Sequence, residues 1–243
     1  MDPAEALRAY LASPSPDEDG EDRGTRALSP LSEAEIEAVA QRCGGALAPE
    51  LRMLLAYSAG LEGGPMELVE FAGSEERLYF PPLEDRTYQI APDGFGNAWC
   101  HWATWTNDRL GPVLYYQHEG PMLLHQCDDM ATFVHEYLRF MRPPYESLID
   151  DLHEFRLRPV RSLNDDLMSR ESIHAAAPDL ADFVAGVEGD AQFRDLRGAK
   201  PGDGIDFAGY DVIAVHPVFP AFAVRRRKRW HERLAGIFGR TAR

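Results

Sequence analysis

The spacing of apolar residues changes period twice along this chain. The stretch LSEAEIEAVAQRCGG, beginning at Leu31, has the marks of a helix start. Ser32 followed by Glu35 is a capping box, and Leu31 with Ile36 is a hydrophobic staple, with Gly44 and Gly45 as the stop. A second helix is expected in APELRMLLAYSAG. There Pro49 suits the first turn, Leu51, Leu54 and Leu55 form the buried stripe, and Gly60 closes it. The pattern then shortens to period two in MELVEF (66–71), RLYF (77–80), TYQI (87–90), AWCHWATW (98–105), PVLYYQH (112–118) and PMLLHQ (121–126). Such runs between turn residues predict strands. Helical spacing returns in DDMATFVHEYLRFM, where Asp128 or Asp129 can cap and Phe133, Tyr137 and Phe140 share a face. The order helix, helix, several strands, helix predicts an α+β fold, a mostly antiparallel sheet flanked by helices.

The flanks are less regular. Residues 2–12 predict a short helix. Residues 13–30, SPSPDEDGEDRGTRALSP, are so polar that they predict a flexible acidic linker, and a core indifferent to the loss of the first 28 residues. Residues 143–160, with Pro143, Pro144 and Pro159, suggest a connector. Residues 161–196 suggest helix with breaks at Pro178 and Gly189, and Tyr210–Val215 a strand. The end of the chain suggests a basic helix with Val224, Trp230, Leu234 and Ile237 to bury. The expected organisation is thus a helix and linker over 1–30, a main domain over 31–142, and an additional C-terminal α/β segment over 143–243 packed on that core.

Charge narrows the partners. The net charge is −15, and residues 1–30, 31–140 and 141–243 contribute −4, −11 and 0. An acidic middle repels nucleic acid and anionic lipid and attracts a basic partner. No apolar run approaches the roughly 18–20 residues of a membrane span. Asp2 and Glu5 stand where a secretory leader would be basic, so a cytoplasmic protein is expected. The three cysteines, Cys43, Cys100 and Cys127, are too scattered for a disulfide framework.

Candidate chemistry is sparse. In IAPDGFGN (90–97), Gly94 and Gly96 permit positive φ, and Asp93 and Asn97 favour turns through local side-chain bonding. A phosphate-cradling loop would have a helix after it, but a Trp-rich strand follows, which favours a turn. Within that strand, Trp99, His101, Ala103 and Trp105 share one face and Ala98, Cys100, Trp102 and Thr104 the other. Two bulky faces suit a central strand covered on both sides. His101, His118, His125, Cys127 and His135 crowd one segment without the spacing of a specific zinc site, so no metal and no cofactor are expected. No nucleophile elbow or cysteine-protease context appears, so no catalytic residue is expected. RRRKRW (225–230) is the one basic block, read as a solvated helix edge.

Four of these features occur in an order that resembles the SUKH superfamily, the Smi/Knr-type cell-wall regulators and bacterial toxin-immunity proteins. They are LAPELRMLLAYSAG, IAPDGFGN, VLYYQHEG with His118 and Glu119, and MATFVHEYL. They span about 110 residues; Ala48 and Ala59 depart from the family's Leu-Pro and Asn-Gly preferences, and residues 143–243 fall outside the likeness. The resemblance implies that Asp93, Gly94, Gly96 and Asn97 are a structural signature. It also implies a non-enzymatic binding module, most often an immunity protein that neutralises a secreted polymorphic toxin of nuclease or deaminase type. The alternative is a regulatory scaffold in a signalling or secretion-associated complex. The expected partner is a protein, a basic toxin domain, with neither nucleic acid nor membrane. The contact residues expected from turns and strand ends are Glu75, Glu76, Glu84, Asp85, Asp108 and Glu119, with Trp105 as an aromatic anchor.

Overall fold

In the computed structural model, which describes residues 2–42, 45, 47–74, 82–83, 86–102 and 111–227, the capping box forms as its spacing requires. Ser32 N and Oγ both donate to Glu35 Oε2, at 2.7 and 2.6 Å, and open α2 (Glu33–Arg42). Ile36 is buried beneath it. Helix α3 (Pro49–Tyr57) begins with proline and has no side-chain cap, and it buries Leu51, Leu54 and Leu55. It ends before Gly60, at Ser58. Gly60 instead begins a strand, because only a residue without Cβ fits there: an added carbon would lie 2.0 Å from Val69 O. Asp129, rather than Asp128, caps α4 (Met130–Phe140), accepting from Thr132 N at 2.7 Å.

The fold is α+β, with three antiparallel sheets. A small sheet holds β1 (Arg26–Ala27), β2 (Gly60–Glu62) and β3 (Leu68–Glu70). The main sheet runs in the order β4 (Thr87–Pro92), β5 (Ala98–Trp102), β6 (Val113–Gln117), β7 (Met122–Cys127) and β9 (Gly204–Asp206). A third sheet is ordered β10 (Tyr210–Val215), β11 (Ala221–Arg226), β8 (Gln192–Asp195). The predicted strand at 77–80 lies outside the described residues.

All five residues of β5 are buried, as a central strand with two bulky faces requires. Trp99 faces a helical layer made by α1 (Pro3–Ala12), α2, α3, α4 and α5 (Leu148–His153). Ala98, Cys100 and Trp102 face the third sheet, where Phe222 and Val224 of β11 project with Ile205 and Phe207. The other side of β11, Ala221 and Ala223, packs with Phe193 against Ile173 of α6 (Arg170–Ala176) and Val184 of α7 (Ala181–Gly186). Alternation along β11 therefore joins two hydrophobic clusters through a single strand.

Three sequence expectations change here. Residues 13–30 are not a free linker. Tyr145 donates to the carbonyls of Pro16 and Asp17 at 3.1 Å, Arg26 and Ala27 pair with β2, and α1 inserts Leu7 and Tyr10, both fully buried, into the main core. Each such burial contributes about 1.5–3 kcal/mol, enough to hold a polar segment whose ends are both anchored. Residues 192–195, expected in a helix, form β8, and residues 221–226, whose later part was assigned to a basic helix, form β11. The reason is pairing: the register Ala221 with Asp195 through Val224 with Gln192 satisfies both backbones inside the protein. The rest of the basic block beyond Arg227 lies outside the described residues. The C-terminal segment also completes the main sheet, since β9 pairs with β7 in the register Leu123 with Ile205.

Candidate functional site

The hairpin between β4 and β5 carries Asp93-Gly94-Phe95-Gly96-Asn97, and the hairpin between β6 and β7 lies at the same end of the sheet. The first turn is held by one carboxylate. Asp93 Oδ1 accepts from the amides of Phe95 and Asn97 at 2.8 and 3.0 Å, and Oδ2 accepts from Asn97 Nδ2 at 2.5 Å and Tyr115 Oη at 3.1 Å. Asp93 N donates to Asn97 O and closes the loop at 3.1 Å. Asn97 Oδ1 in turn accepts from His118 N at 3.0 Å, which ties the two hairpins together.

Gly94 and Gly96 both have positive φ, +80° and +88°. Gly96 is also sterically confined: a Cβ there would stand 2.8 Å from the His118 ring, whereas the space around Gly94 is open. A Gly96→Val protein should lose more than about 1 kcal/mol of stability, through backbone strain and the displaced ring. Urea denaturation checks this, and an unchanged midpoint would show that the turn tolerates a side chain.

Electrostatics assign Asp93 a holding role. Its side chain is only 2 % exposed. Burial works to raise its pKa, but the hydrogen bonds from Asn97, Phe95 and Tyr115 outweigh it and keep the carboxyl below the usual carboxylate range. The Tyr115 hydroxyl is pushed the other way, first by burial and then by the Asp93 charge, so it remains a proton donor. With four donors on its two oxygens, Asp93 holds the turn rather than presenting a free base.

Helix α5 closes one side of this end. His153 Nε2 lies 3.4 Å from Asp93 Oδ2, and its ring stacks on Trp99 at 5.9 Å between centroids. Tyr115 meets the same ring edge-on at 5.8 Å. Trp99 is fixed from behind by its indole N–H donating to Gln126 Oε1 at 3.1 Å. Asp93, Trp99 and His153 line a small cleft of about 70 Å³ floored by Met66, Phe140 and Ile149. Phe140 and Asp150 also border the adjoining groove, whose other wall is Asp17, Glu18 and Asp19.

The turn presents Phe95. It is 77 % exposed, the most open large apolar side chain among the described residues. Its backbone is pinned on both sides by Asp93, so an apolar ring stands in water on a rigid mount. The sequence signal for it was present inside IAPDGFGN, but residue type does not reveal that a ring points outward. His153 carried no signal at all, since its segment looked like a connector.

Of the expected contact residues, Glu119 is exposed in the β6–β7 turn beside His118, at the same end as Phe95. Glu75, Glu76, Glu84, Asp85, Asp108 and Trp105 lie outside the described residues. His101, His125 and Cys127 are buried in the sheet, and His118 is at its end. Among the described residues no three His, Cys, Asp or Glu side chains are grouped so that they could hold a metal ion, and no helix is long and apolar enough to cross a membrane. Compared with models of known protein families, with curated proteins and with solved structures, the chain matches none.

Proposed function

We propose that this chain is a protein-binding module of the immunity type, which neutralises a basic toxin domain by covering it and performs no chemistry of its own. The observation that carries this reading is Phe95, an exposed ring on a turn locked by Asp93 and Asn97. A rigid aromatic loses little entropy on docking, which makes it the usual kind of binding anchor. The charge of −15, with Glu119 exposed in the β6–β7 turn and Asp17, Glu18 and Asp19 walling a groove, suits a basic partner. The SUKH-like order of motifs supports the same reading and suggests a nuclease or deaminase as the toxin. The scaffold alternative draws on a different surface, the edge strand β10 with exposed Ile213.

The test is a binding measurement with a partner copurified from the source organism. Phe95→Ala should weaken the complex about tenfold or more, mainly through faster dissociation, with an unchanged melting temperature. Glu119→Lys should slow association and flatten its salt dependence, because rim charges act chiefly on the encounter rate. An acidic partner, or wild-type kinetics in both variants, would overturn the proposal. Loss of binding on changing Ile213 to Asp, with Phe95→Ala silent, would favour the scaffold.

A further inference from the structure

The turn that joins β10 to β11, His216-Pro217-Val218-Phe219-Pro220, is folded around one imidazole nitrogen. His216 Nδ1 accepts from the amides of Val218 and Phe219, at 3.1 and 3.0 Å. The backbone of the same residue closes the hairpin, its amide donating to Ala221 O at 2.8 Å. An imidazole nitrogen accepts only while it carries no proton, so this geometry requires the neutral ring with its hydrogen on Nε2.

The main sheet holds the other ends of the same two peptide groups. The Val218 amide shares a peptide group with the Pro217 carbonyl, which accepts from Arg86 Nη1 at 3.0 Å. The Phe219 amide shares one with the Val218 carbonyl, which accepts from the Trp102 indole N–H at 2.8 Å. Arg86 Nη1 also donates to His216 O at 3.2 Å. Arg86 directly precedes β4, and Trp102, fully buried, ends β5. Each peptide group is thus held at its N–H by His216 and at its C=O by a side chain of the main sheet. A peptide group is planar and turns as one unit, so releasing its N–H also frees its C=O.

We propose that His216 is an acid-sensitive latch: the neutral imidazole fixes the β10–β11 turn on the main sheet, and a proton taken up at Nδ1 releases that turn from Arg86 and Trp102. Protonated Nδ1 would present a hydrogen to two amide hydrogens, and neither amide could keep its acceptor. The latch uses no residue of the Phe95 turn and does not depend on the protein-binding reading.

The surroundings favour the neutral ring. Phe183 of α7 meets it edge-on at 5.3 Å between centroids, and Phe219 stacks on it at 4.7 Å. The charged groups that face it are Asp195 at the end of β8, Arg197 just beyond, Asp179 shortly before α7, and Arg86. Burial is the main force lowering its pKa, the two arginines add to it, and the two aspartates oppose it. Both carboxylates are already hydrogen-bonded to the Arg197 guanidinium. Above pH 6.5 the open and closed turns are both neutral, and the latch is shut. Below it, the open turn gains a proton that the closed turn refuses, so opening grows as the pH falls.

The experiment is NMR on the full chain at about pH 7.5 and about pH 5.5, one unit either side of the ordinary histidine value. Two-bond nitrogen–proton correlations of the His216 ring should show Nδ1 unprotonated and Nε2 protonated at the higher pH. Hydrogen-exchange protection of the Val218 and Phe219 amides should fall several-fold at the lower pH, by about tenfold if the closed turn takes up no proton, while the amides of β6 keep theirs. His216→Asn places an oxygen that can accept from the same two amides and that does not titrate, so its turn should stay protected at both pH values. A proton on Nδ1 at the higher pH would overturn the latch, and this reading needs no variant to fold. So would unchanged protection of Val218 and Phe219 in the wild type, an equal loss in β6, or the same loss in the folded His216→Asn protein.

Discussion

Removing residues 1–28 should unfold this protein or lower its stability by about 5 kcal/mol or more. The estimate follows from what α1 contributes. Leu7 and Tyr10 are fully buried, and Ala4 and Ala6 nearly so, in the same cluster as Leu54, Leu55, Phe133 and Tyr137. Truncating one large buried side chain typically costs 2–5 kcal/mol, and here two leave together with the surface they cover. The same cut removes β1 from the edge of β2, and the Pro16 and Asp17 carbonyls that hold Tyr145. Cation–π contacts from Arg8 to Tyr57 and from Arg142 to Tyr10 disappear as well. Guanidinium denaturation of the shortened chain measures the loss. A midpoint close to that of the full chain would mean that α1 covers the core without stabilising it.

Acid should destabilise the protein between pH 6.5 and 4, and His101 should account for about 3 kcal/mol of the loss. The imidazole is fully buried, with Nε2 3.1 Å from Ala72 O and Nδ1 without a partner. Burial is the main force lowering its pKa; the Ala72 contact opposes it and the nearby Arg42 charge adds to it, and the net result is a pKa pushed down to about 4 from 6.5. Above pH 6.5 both the folded and the unfolded imidazole are neutral, and the full stability is present. Below it, the unfolded chain takes up a proton that the folded one refuses, so stability falls until the folded group also titrates near pH 4. Each unit of pKa difference is about 1.4 kcal/mol, which gives the stated figure. His125 and His216 are also lowered by burial and act in the same direction. Asp93 and Asp203 add to the acid sensitivity, because carboxyls with depressed folded values withdraw their stabilisation as they protonate. Urea melts at pH 7.5 and 4.5 test this. His101→Gln retains an amide for Ala72 but has no proton to gain, so its stability should vary less with pH. An unchanged slope in that variant would remove His101 from the account.

Short-range chemistry was legible in the chain, and its pairings were not. The Ser32–Glu35 box, the Asp129 cap and the positive-φ glycines at 94 and 96 depend on residues within four positions of each other. The turn at Asp93–Asn97 could therefore be anticipated. Its completion could not, because Tyr115, His118 and His153 come from β6, the following turn and α5. Likewise α1 was expected as a helix but not as core. Its large apolar residues, Leu7, Tyr10 and Leu11, stand just ahead of the polar stretch 13–30, and nothing local distinguishes a docked helix from a free one.

The sequence by itself determined the α+β class, where α2, α3 and α4 begin and the conformation of the Asp93 turn, because propensity, capping and the period of apolar positions act over one or two turns of chain. Only the tertiary structure decided that residues 192–195 and 221–226 become strands, that β9 completes the main sheet, that Phe95 stands in water, and that Asp93 and Trp99 share a cleft with His153. Those outcomes depend on which distant backbone is near enough to satisfy an amide, and on which faces meet to exclude water. Both are properties of the assembled layers rather than of any single segment.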